Sequence, residues 1–320
     1  MSKLLSISIA AYNMEKYLSN AIESCIFSDY LRNRIEIIVV NDGSKDKTLE
    51  IAKSYESRYP NCIKVINKIN GGYGSTVNSS ISVATGKYFK LLDADDWFNE
   101  KGFEKFINRL EDCNSDVVFS DYNTVFEDGK IEGTVSFDLE SGIVYQISEK
   151  HLNAGDYAMH AISVKTNLLK DGNVKLSEKC FFTDTEFVYY SFKWSNTFLY
   201  IDENVYQYRL GRNGQSVSKQ GMINHVDDAV RVAKKLLDDN NKKSEILDTI
   251  TSRSVLFAYH ALILCGNKGY KKMEDLDKEI KGKNIDLYME MANSKKMYLM
   301  RKLKYHFKYF WIFWTKLCTK

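Results

Sequence analysis

In the stretch Lys87-Tyr88-Phe89-Lys90-Leu91-Leu92-Asp93-Ala94-Asp95-Asp96-Trp97, an apolar, strand-like run ends in three carboxylates within four residues. Each carboxylate raises the pKa of its neighbours, so a cation is the natural compensator at the end of a buried strand. Oxygen ligands with no Cys or His close by in sequence favour Mg²⁺ or Mn²⁺ over zinc or copper. Such an ion is usually shared with a substrate phosphate. The alternative is a polar turn whose aspartates cap the next helix.

The segments around this stretch alternate between strands and helices. Strands are predicted at 4–10, 35–40 and 62–66. Helices are predicted between and after them, at 15–27, in a segment that ends near Pro60, and at 75–84. The β-branched, nearly all-apolar run 35–40 suits a strand that is covered on both faces, as in a parallel sheet. The alternation predicts an α/β fold, with a Rossmann-like, mixed but mostly parallel sheet flanked by helices.

Polar, turn-forming clusters follow each of the first four strands. Ligands of open α/β sheets bind beyond the carboxyl ends of the strands, so these clusters are expected to form one site. They are Ala11-Tyr12-Asn13, Asn41-Asp42-Gly43-Ser44, Asn70-Gly71-Gly72-Tyr73-Gly74-Ser75 and Asp93-Ala94-Asp95-Asp96. No GxGxxG follows the first strand and no GxxxxGK[ST] follows any strand, so the loops that bind dinucleotides or nucleoside triphosphates are not predicted.

Two of these clusters suggest contacts with a nucleotide. Asp42 can accept a hydrogen bond from a nucleobase N–H or a ribose hydroxyl, and Tyr12 can stack on the base. The alternative for Asp42 is an Asx-turn that leads into the cap of the following helix. The glycines at 71, 72 and 74 let the backbone approach a ligand closely, or they make a tight turn.

Composition indicates a folded chain without a membrane span. The 320 residues are 44% hydrophobic, which suffices for a full core, and the length allows two domains, for which we expect the ranges 1–215 and 216–320, the second helical. The six scattered cysteines predict neither a zinc site nor a disulfide framework, so the cytoplasm is the expected compartment. No apolar run approaches the roughly 18 residues that a spanning helix needs.

The end of the chain is strongly basic and aromatic. Residues 295–320 contain eight Lys or Arg and no acid, interleaved with Tyr, Phe and Trp. Such a helix is drawn to anionic lipid headgroups, which predicts peripheral binding at the inner face of the cell membrane. The alternative is a helix that packs its aromatic side on the body of the protein. Nucleic acid is not expected as a partner, because the rest of the chain supplies no basic face or recognition motif.

Four segments, in this order, resemble the family 2 glycosyltransferases. Residues 7–13 are similar to the family's opening strand with its YN signature, and residues 38–48 to its VVDDGSxDxT segment. Residues 70–78 resemble NxGxSxxxN, and residues 84–96 resemble AxGxYxxxLDADD. Several motifs in one order are far more specific than any of them alone. The resemblance implies the GT-A fold, with a nucleotide-sugar-binding and catalytic domain followed by the C-terminal helical extension.

Two segments further along also match the family. Phe182-Thr183-Asp184-Thr185-Glu186-Phe187 resembles its EDxxF segment, whose aspartate is the base of inverting members, so the resemblance implies Asp184 as the catalytic base. Thr183 replaces the family's Glu, and Ala10 replaces a frequent Pro. Residues 206–217 are similar to a segment of bacterial polysaccharide-assembly members, whose arginines are expected to clamp the leaving diphosphate. An ordinary basic surface turn is the alternative for Arg212.

These observations lead to specific site predictions. A Mn²⁺ or Mg²⁺ ion is assigned to Asp95 and Asp96, with Asp93 turned toward the ribose or the surroundings of the metal. The expected donor-binding residues are Ala10, Tyr12, Asn13, Asp42, Asn70, Gly71, Gly74, Asp93, Ala94, Asp95, Arg209 and Arg212. Trp97 and His160 are candidate acceptor contacts. Their alternatives are an anchor for the next helix and a structural histidine.

The predicted activity follows from where charge develops. Displacing a sugar from a nucleoside diphosphate builds negative charge on the leaving phosphate, which a divalent ion stabilises. A positioned carboxylate takes the proton of the attacking hydroxyl. We therefore expect a metal-dependent, inverting hexosyl- or N-acetylhexosaminyltransferase, which by resemblance uses a UDP-sugar and a glycan, lipid-linked or polymer acceptor. The alternative is a catalytically silent nucleotide-sugar-binding or scaffold protein of the same fold.

Overall fold

A computed structural model of the chain describes residues 3–148, 158–211, 218–240, 244–291, 298 and 301–302. The chain divides into two compact units, Met1–Asn213 and Gly214–Lys320. The first unit contains the sheet, and the second is helical in the part that the structure describes.

The elements of the first unit are, in chain order, β1 (Leu5–Ala11), α1 (Leu18–Ile26), α2 (Asp29–Arg34), β2 (Ile35–Asp42), α3 (Thr48–Arg58), β3 (Ile63–Lys68), α4 (Tyr73–Val83), β4 (Tyr88–Asp93), β5 (Trp97–Phe98), α5 (Glu100–Glu111), β6 (Val117–Phe126), β7 (Ile131–Val135), β8 (Val144–Gln146), β9 (Ile162–Lys165), α6 (Thr166–Asp171), α7 (Asp184–Lys193) and β10 (Thr197–Leu210).

These strands form one mixed sheet in the order β3-β2-β1-β4-β9-β6-β10-β5, with β7 paired to β6 and β8 to β10. The long ladders that join β1, β2, β3 and β4 are parallel, as is the ladder between β6 and β10. β9 runs antiparallel between β4 and β6. The predicted α/β fold with a mixed sheet is confirmed, and the carboxyl ends of β1 to β4 lie along one edge.

Burial explains why the first half of the sheet was readable from the sequence. In β2, residues 37–42 are all buried, so nearly every position must be apolar except the two at the carboxyl end. The short helix α2 was not predicted. It begins at the Ser28 cap, whose hydroxyl accepts from the Leu31 backbone N–H, and it has only one buried residue, so no helical period marks it.

The second unit contains α8 (Lys219–Asn224), α9 (Val226–Asp239), α10 (Glu245–Leu264), α11 (Asn267–Lys283) and α12 (Ile285–Met291). None of the helices in the described ranges is long and apolar enough to span a bilayer. Most of the basic, aromatic tail 295–320 lies outside the described residues. Arg301 is an exception: it pairs with buried Asp277 at 2.8 Å and donates to the Tyr288 carbonyl, so this basic residue is used inside the unit.

Candidate active site

The acidic loop, residues 93–96, is a tight turn at the carboxyl end of β4. The Asp93 carbonyl accepts a hydrogen bond from the Asp96 backbone N–H at 3.0 Å. β10 closes over the turn, because the Tyr206 hydroxyl and the Arg209 backbone N–H each donate to the Asp96 carboxylate at 2.7 Å. The Tyr206 hydroxyl also accepts from the Asp93 backbone N–H at 3.0 Å. One hydroxyl therefore joins the two ends of the acidic loop.

The acidic loop concentrates negative charge inside the protein. Asp96 is only 1% exposed, and burial, followed by the charges of Asp93 and Asp95, raises the pKa of its carboxyl well above the usual range. The hydrogen bonds from Tyr206 and Arg209 act in the opposite direction but are smaller causes. A cation beside these carboxylates would offset the repulsion between them.

One possible metal-ligand atom from each of three side chains lies within 4.8 Å of the other two such atoms. The three side chains are Asp93, Asp96 and His160. Two carboxylate oxygens and an imidazole nitrogen are suitable ligands for a first-row divalent ion. The sequence predicts Asp95 and Asp96 as ligands, whereas the structure groups Asp96 with Asp93 and His160. The donor set in this group fits a divalent cation.

Arg209 lies against the acidic loop. Its Nε donates to the Asp95 carbonyl at 2.7 Å. Its guanidinium carbon lies 5.1 Å from the ring centre of Tyr17 and 4.7 Å from that of Trp97. The structure thus brings two predicted site residues, Arg209 and Trp97, to the acidic loop. The predicted contact Arg212 lies outside the described residues.

Asp184 is the first residue of α7 and is exposed. The loop before it is fixed by a hydrogen bond from the Ser177 backbone N–H to the buried Glu186 carboxylate at 2.7 Å. Desolvation has the largest effect on the pKa of Asp184 and raises it. Hydrogen bonds from backbone N–H groups at the start of α7 lower this pKa. A carboxylate that water can reach, but that is more basic than a free aspartate, suits a proton acceptor.

Tyr73 is close enough to the acidic loop and to Asp184 for the charges of both to act on it, and the sequence did not predict it as a site residue. Burial is the largest cause that raises its pKa well above the usual range, and the charges of Asp93 and Asp184 follow. Its hydroxyl also donates to the Met159 sulfur at 3.3 Å. The pKa of Tyr208 is raised by burial and then by the acids of the loop and Asp184. Tyr73 is the one large side chain in the glycine-rich loop 70–75, and this is the signal in the sequence that could have identified it.

Asp42 is used by the chain itself. Its Oδ1 accepts from Lys68 Nζ and from the Gly71 backbone N–H, both at 2.9 Å, and its Oδ2 accepts from the Gly72 backbone N–H at 2.8 Å. These contacts tie the end of β2 to the glycine loop. They are contacts within the chain, and the nucleobase contact of Asp42 stays a prediction. At the start of α3, the Asp46 carboxylate accepts from the Thr48 backbone N–H, and Asp46 is one of the capping residues to which an Asx-turn at Asp42 would lead.

The other predicted donor-binding residues line the same edge of the sheet with different surroundings. Ala10 pairs with Asp93 in the parallel ladder, and Ala94, within the acidic loop, is buried. Tyr12 is 44% exposed, as a residue that stacks on a ligand would be.

Asn13 and Asn70 hold loops together. The Asn13 side-chain oxygen accepts from the Lys45 backbone N–H at 2.9 Å, and Asn70 Nδ2 donates to the Asp42 carbonyl at 2.9 Å. A side chain at Gly74 would collide with the Ser177 carbonyl, so this glycine allows the chain's own backbone to approach.

The fold defines the class of protein. The chain aligns with the 1–349 fragment of TarS from S. aureus in complex with UDP-GlcNAc at a TM-score of 0.60 and 18% identity, over 92% of this chain and 91% of that chain. It aligns with the mannosyltransferase PcManGT from Pyrobaculum calidifontis, in complex with GDP-Man and Mn²⁺, at a TM-score of 0.54 and 11% identity, over 95% of this chain and 84% of that chain. The shared fold is that of the GT-A glycosyltransferases.

Sequence comparison makes the assignment narrower. Residues 6–171 match the profile of glycosyl transferase family 2, and the chain belongs to that family. The minor teichoic acid biosynthesis protein GgaB of Bacillus subtilis is 28% identical over 221 residues, which are 68% of this chain and 24% of GgaB. The glycosyltransferase GlyG of Streptococcus pneumoniae is 28% identical over 252 residues, 75% of this chain and 81% of GlyG. The predicted family and enzyme class are confirmed, and the chain spans about a quarter of GgaB.

Proposed function

We propose that the protein is a metal-dependent, inverting glycosyltransferase that moves a hexosyl or N-acetylhexosaminyl group from a nucleoside-diphosphate donor to a hydroxyl group. The observation that carries this proposal is the grouping of ligand atoms from Asp93, Asp96 and His160 within 4.8 Å, at the carboxyl end of β4. A UDP-sugar is the proposed donor, since TarS was solved with UDP-GlcNAc, and PcManGT with GDP-Man and Mn²⁺ supports the cation.

The chain's own residues would divide the reaction between two sides of the sugar. On one side, Asp93 and Asp96 would hold the cation, and Arg209, whose Nε donates to the Asp95 carbonyl, would contact the diphosphate. When bound, the cation offsets the charge that builds on the leaving phosphate. On the other side, Asp184 takes the proton of the acceptor hydroxyl as its oxygen bonds to the anomeric carbon and the bond to the diphosphate breaks. A single displacement of this kind inverts the anomeric centre.

The proposed acceptor is a glycan, a lipid-linked sugar or a cell-envelope polymer. The name of GgaB, a relative over 68% of this chain, refers to teichoic acid biosynthesis, which supports the polymer. The proposed location is the cytoplasmic face of the membrane, with the basic tail as the anionic-lipid contact. Of the eight basic residues in the tail, Arg301 is already paired with Asp277, so the lipid contact would depend on the others.

The experiment measures release of UDP, GDP or TDP from a panel of donor sugars, with Mn²⁺ and with chelator. We expect turnover of a UDP-sugar that needs the cation, and a fall in kcat/KM at low pH as Asp184 becomes protonated. Because desolvation by the surrounding protein raises the pKa of Asp184, this fall should begin above the pH at which a free aspartate titrates.

Two variants complete the test. Asp184→Asn should lose transfer while still binding donor, and Asp171→Asn, the same change at an exposed position at the end of α6, should behave as wild type. Donor binding without turnover in the wild type, across all donors and acceptor mixtures, would instead indicate the silent nucleotide-sugar-binding protein.

A further inference from the structure

We propose that His160 is a protein ligand of the divalent cation and makes the site prefer transition-metal ions over Mg²⁺. This inference rests on the proposed function in that it needs a bound cation. It differs from the sequence-based expectation, in which carboxylates alone hold the ion and His160 faces the acceptor. The first observation is that one imidazole nitrogen lies within 4.8 Å of an oxygen of Asp93 and an oxygen of Asp96.

The imidazole ring is held rigidly by aromatic side chains. It stacks on Tyr208 with ring centres 4.3 Å apart and a tilt of 28°, and Tyr206 meets it edge-on at 4.7 Å. Tyr122 packs at 5.3 Å. Tyr206 is also the residue whose hydroxyl binds Asp96, so the ring and the carboxylate are positioned by the same side chain. A ligand set that is fixed before the ion arrives loses little entropy on binding.

The hydrogen bonding of the His160 imidazole also favours a metal ligand. Its Nδ1 is buried and has no hydrogen-bond partner among the described residues. A buried polar atom without a partner is costly in an ordinary core, which argues against a purely structural histidine.

Lys90 positions the segment that carries His160. Its ammonium group is fully buried and donates to the His160 carbonyl at 2.9 Å and to the Ile162 carbonyl at 3.2 Å. Lys90 belongs to β4, three residues before Asp93, so it ties the strand that carries the carboxylates to the segment that carries the imidazole. A buried ammonium group needs acceptors, and these two carbonyls supply them.

The expected consequence concerns the choice of ion. Mg²⁺ prefers oxygen ligands in near-ideal octahedral geometry, whereas imidazole is a good ligand for first-row transition metals. A site with two carboxylates and one imidazole should therefore bind Mn²⁺ or Co²⁺ more tightly than Mg²⁺. Replacing His160 by Gln should weaken Mn²⁺ binding by at least about tenfold and Mg²⁺ binding by much less, so that the preference narrows.

The direct test is pulsed electron paramagnetic resonance of Mn²⁺ on the full-length protein, with Mn²⁺ alone and with Mn²⁺ plus UDP. Modulation from a nitrogen nucleus bound to manganese is expected in the wild type. It should change frequency when the protein is grown with ¹⁵N-imidazole histidine, which needs no variant. The signal should disappear in His160→Gln and persist in His260→Gln, a control that makes the same change at an exposed histidine of α10.

The outcomes separate this inference from the proposed function. Bound Mn²⁺ that shows phosphorus coupling from UDP, but no histidine nitrogen coupling, would overturn the role of His160 and leave the metal-dependent transferase intact. Nitrogen coupling that survives in His160→Gln would also overturn it. If Mn²⁺ does not bind with or without UDP, both proposals fail.

Discussion

Asp42 and Asp96 are two buried aspartates at the same edge of the sheet, and the chain treats them in opposite ways. Asp42 ends β2 and Asp96 follows β4, so they flank β1 on either side. Asp42 is 3% exposed and Asp96 is 1% exposed. The nearest charge to Asp42 is the Lys68 ammonium at 2.9 Å, whereas the charged neighbours that act most strongly on Asp96 are Asp93 and Asp95.

This difference in partners is the basis on which we propose a structural role for Asp42 and a cation-binding role for Asp96. Asp42 receives a cation and two backbone N–H groups, which is what a buried charge needs in order to be stable. Asp96 receives two hydrogen bonds but remains among like charges, and a bound cation would offset the repulsion between them. Motif matching predicts both residues in one binding site, and the structure adds that their hydrogen-bond and charge partners differ.

The largest effect is expected for Asp96→Asn, which tests the proposed cation-binding role of Asp96. We expect kcat/KM to fall by about 10³-fold, which corresponds to ~4 kcal/mol of transition-state stabilisation, because the cation loses a ligand. The melting temperature without metal should not fall, since one of three like charges is removed. Initial rates and thermal unfolding on the same preparation check both statements. A variant that is fully active, or inactive only because it is unfolded, would contradict the assignment.

The next largest effect is expected for Asp42→Asn, and it should appear as lost stability. An amide nitrogen would have to face either the Lys68 ammonium or the backbone N–H of Gly71 or Gly72, and the paired lysine would lose its counterion. We expect the free energy of unfolding to drop by about 3 kcal/mol. Urea denaturation measures it.

The control for Asp42→Asn is Asp29→Asn, which changes a side chain that is 90% exposed and pairs with Arg32. That substitution should cost well under 1 kcal/mol. If the two variants unfolded at the same urea concentration, Asp42 would not be the structural aspartate described here.

The sequence predicted those parts of this comparison that depend on local pattern. The apolar runs of β1, β2 and β4 are buried strands, as predicted. The acidic loop was recognised because three of its four residues are aspartates. The contact between Asp42 and Lys68 could also have been predicted from the order of the strands, because the two residues are paired in the parallel register of β2 and β3. Only the register, which the sequence does not state, was missing.

The partners of Asp96 could not be predicted from the sequence, because they come from distant segments of the chain. Tyr206 is 110 residues away in sequence, and it meets the acidic loop only because β10 pairs with β5, the strand that directly follows the loop. His160 comes from the segment before β9, which inserts antiparallel next to β4. A lone histidine near a weak strand carries no local pattern that indicates a ligand, so it was assigned to the acceptor side.

Tyr206→Phe removes the hydroxyl that donates to the Asp96 carboxylate, and so tests what this hydrogen bond contributes to cation binding. We expect Mn²⁺ to bind about tenfold more weakly, because the hydroxyl fixes the distance between the Asp93 backbone and the Asp96 carboxylate. The matched control is Tyr200→Phe, since Tyr200 lies on the same strand and its hydroxyl binds Asp121 at 2.8 Å. Isothermal titration with Mn²⁺ distinguishes them, and equal losses in both variants would mean a general weakening of β10.

The smallest expected effect is thermal, and it tests both aspartates in one measurement. Mn²⁺ at about five times its dissociation constant should stabilise the wild type by about 1 kcal/mol, or about 3 °C in melting temperature. Asp42→Asn should start from a lower melting temperature and gain the same increment, because its carboxylate does not bind the ion. Asp96→Asn should gain nothing. An increment that vanished in Asp42→Asn and survived in Asp96→Asn would reverse the roles of the two residues, since the ion would then be bound at the end of β2 and not at the end of β4.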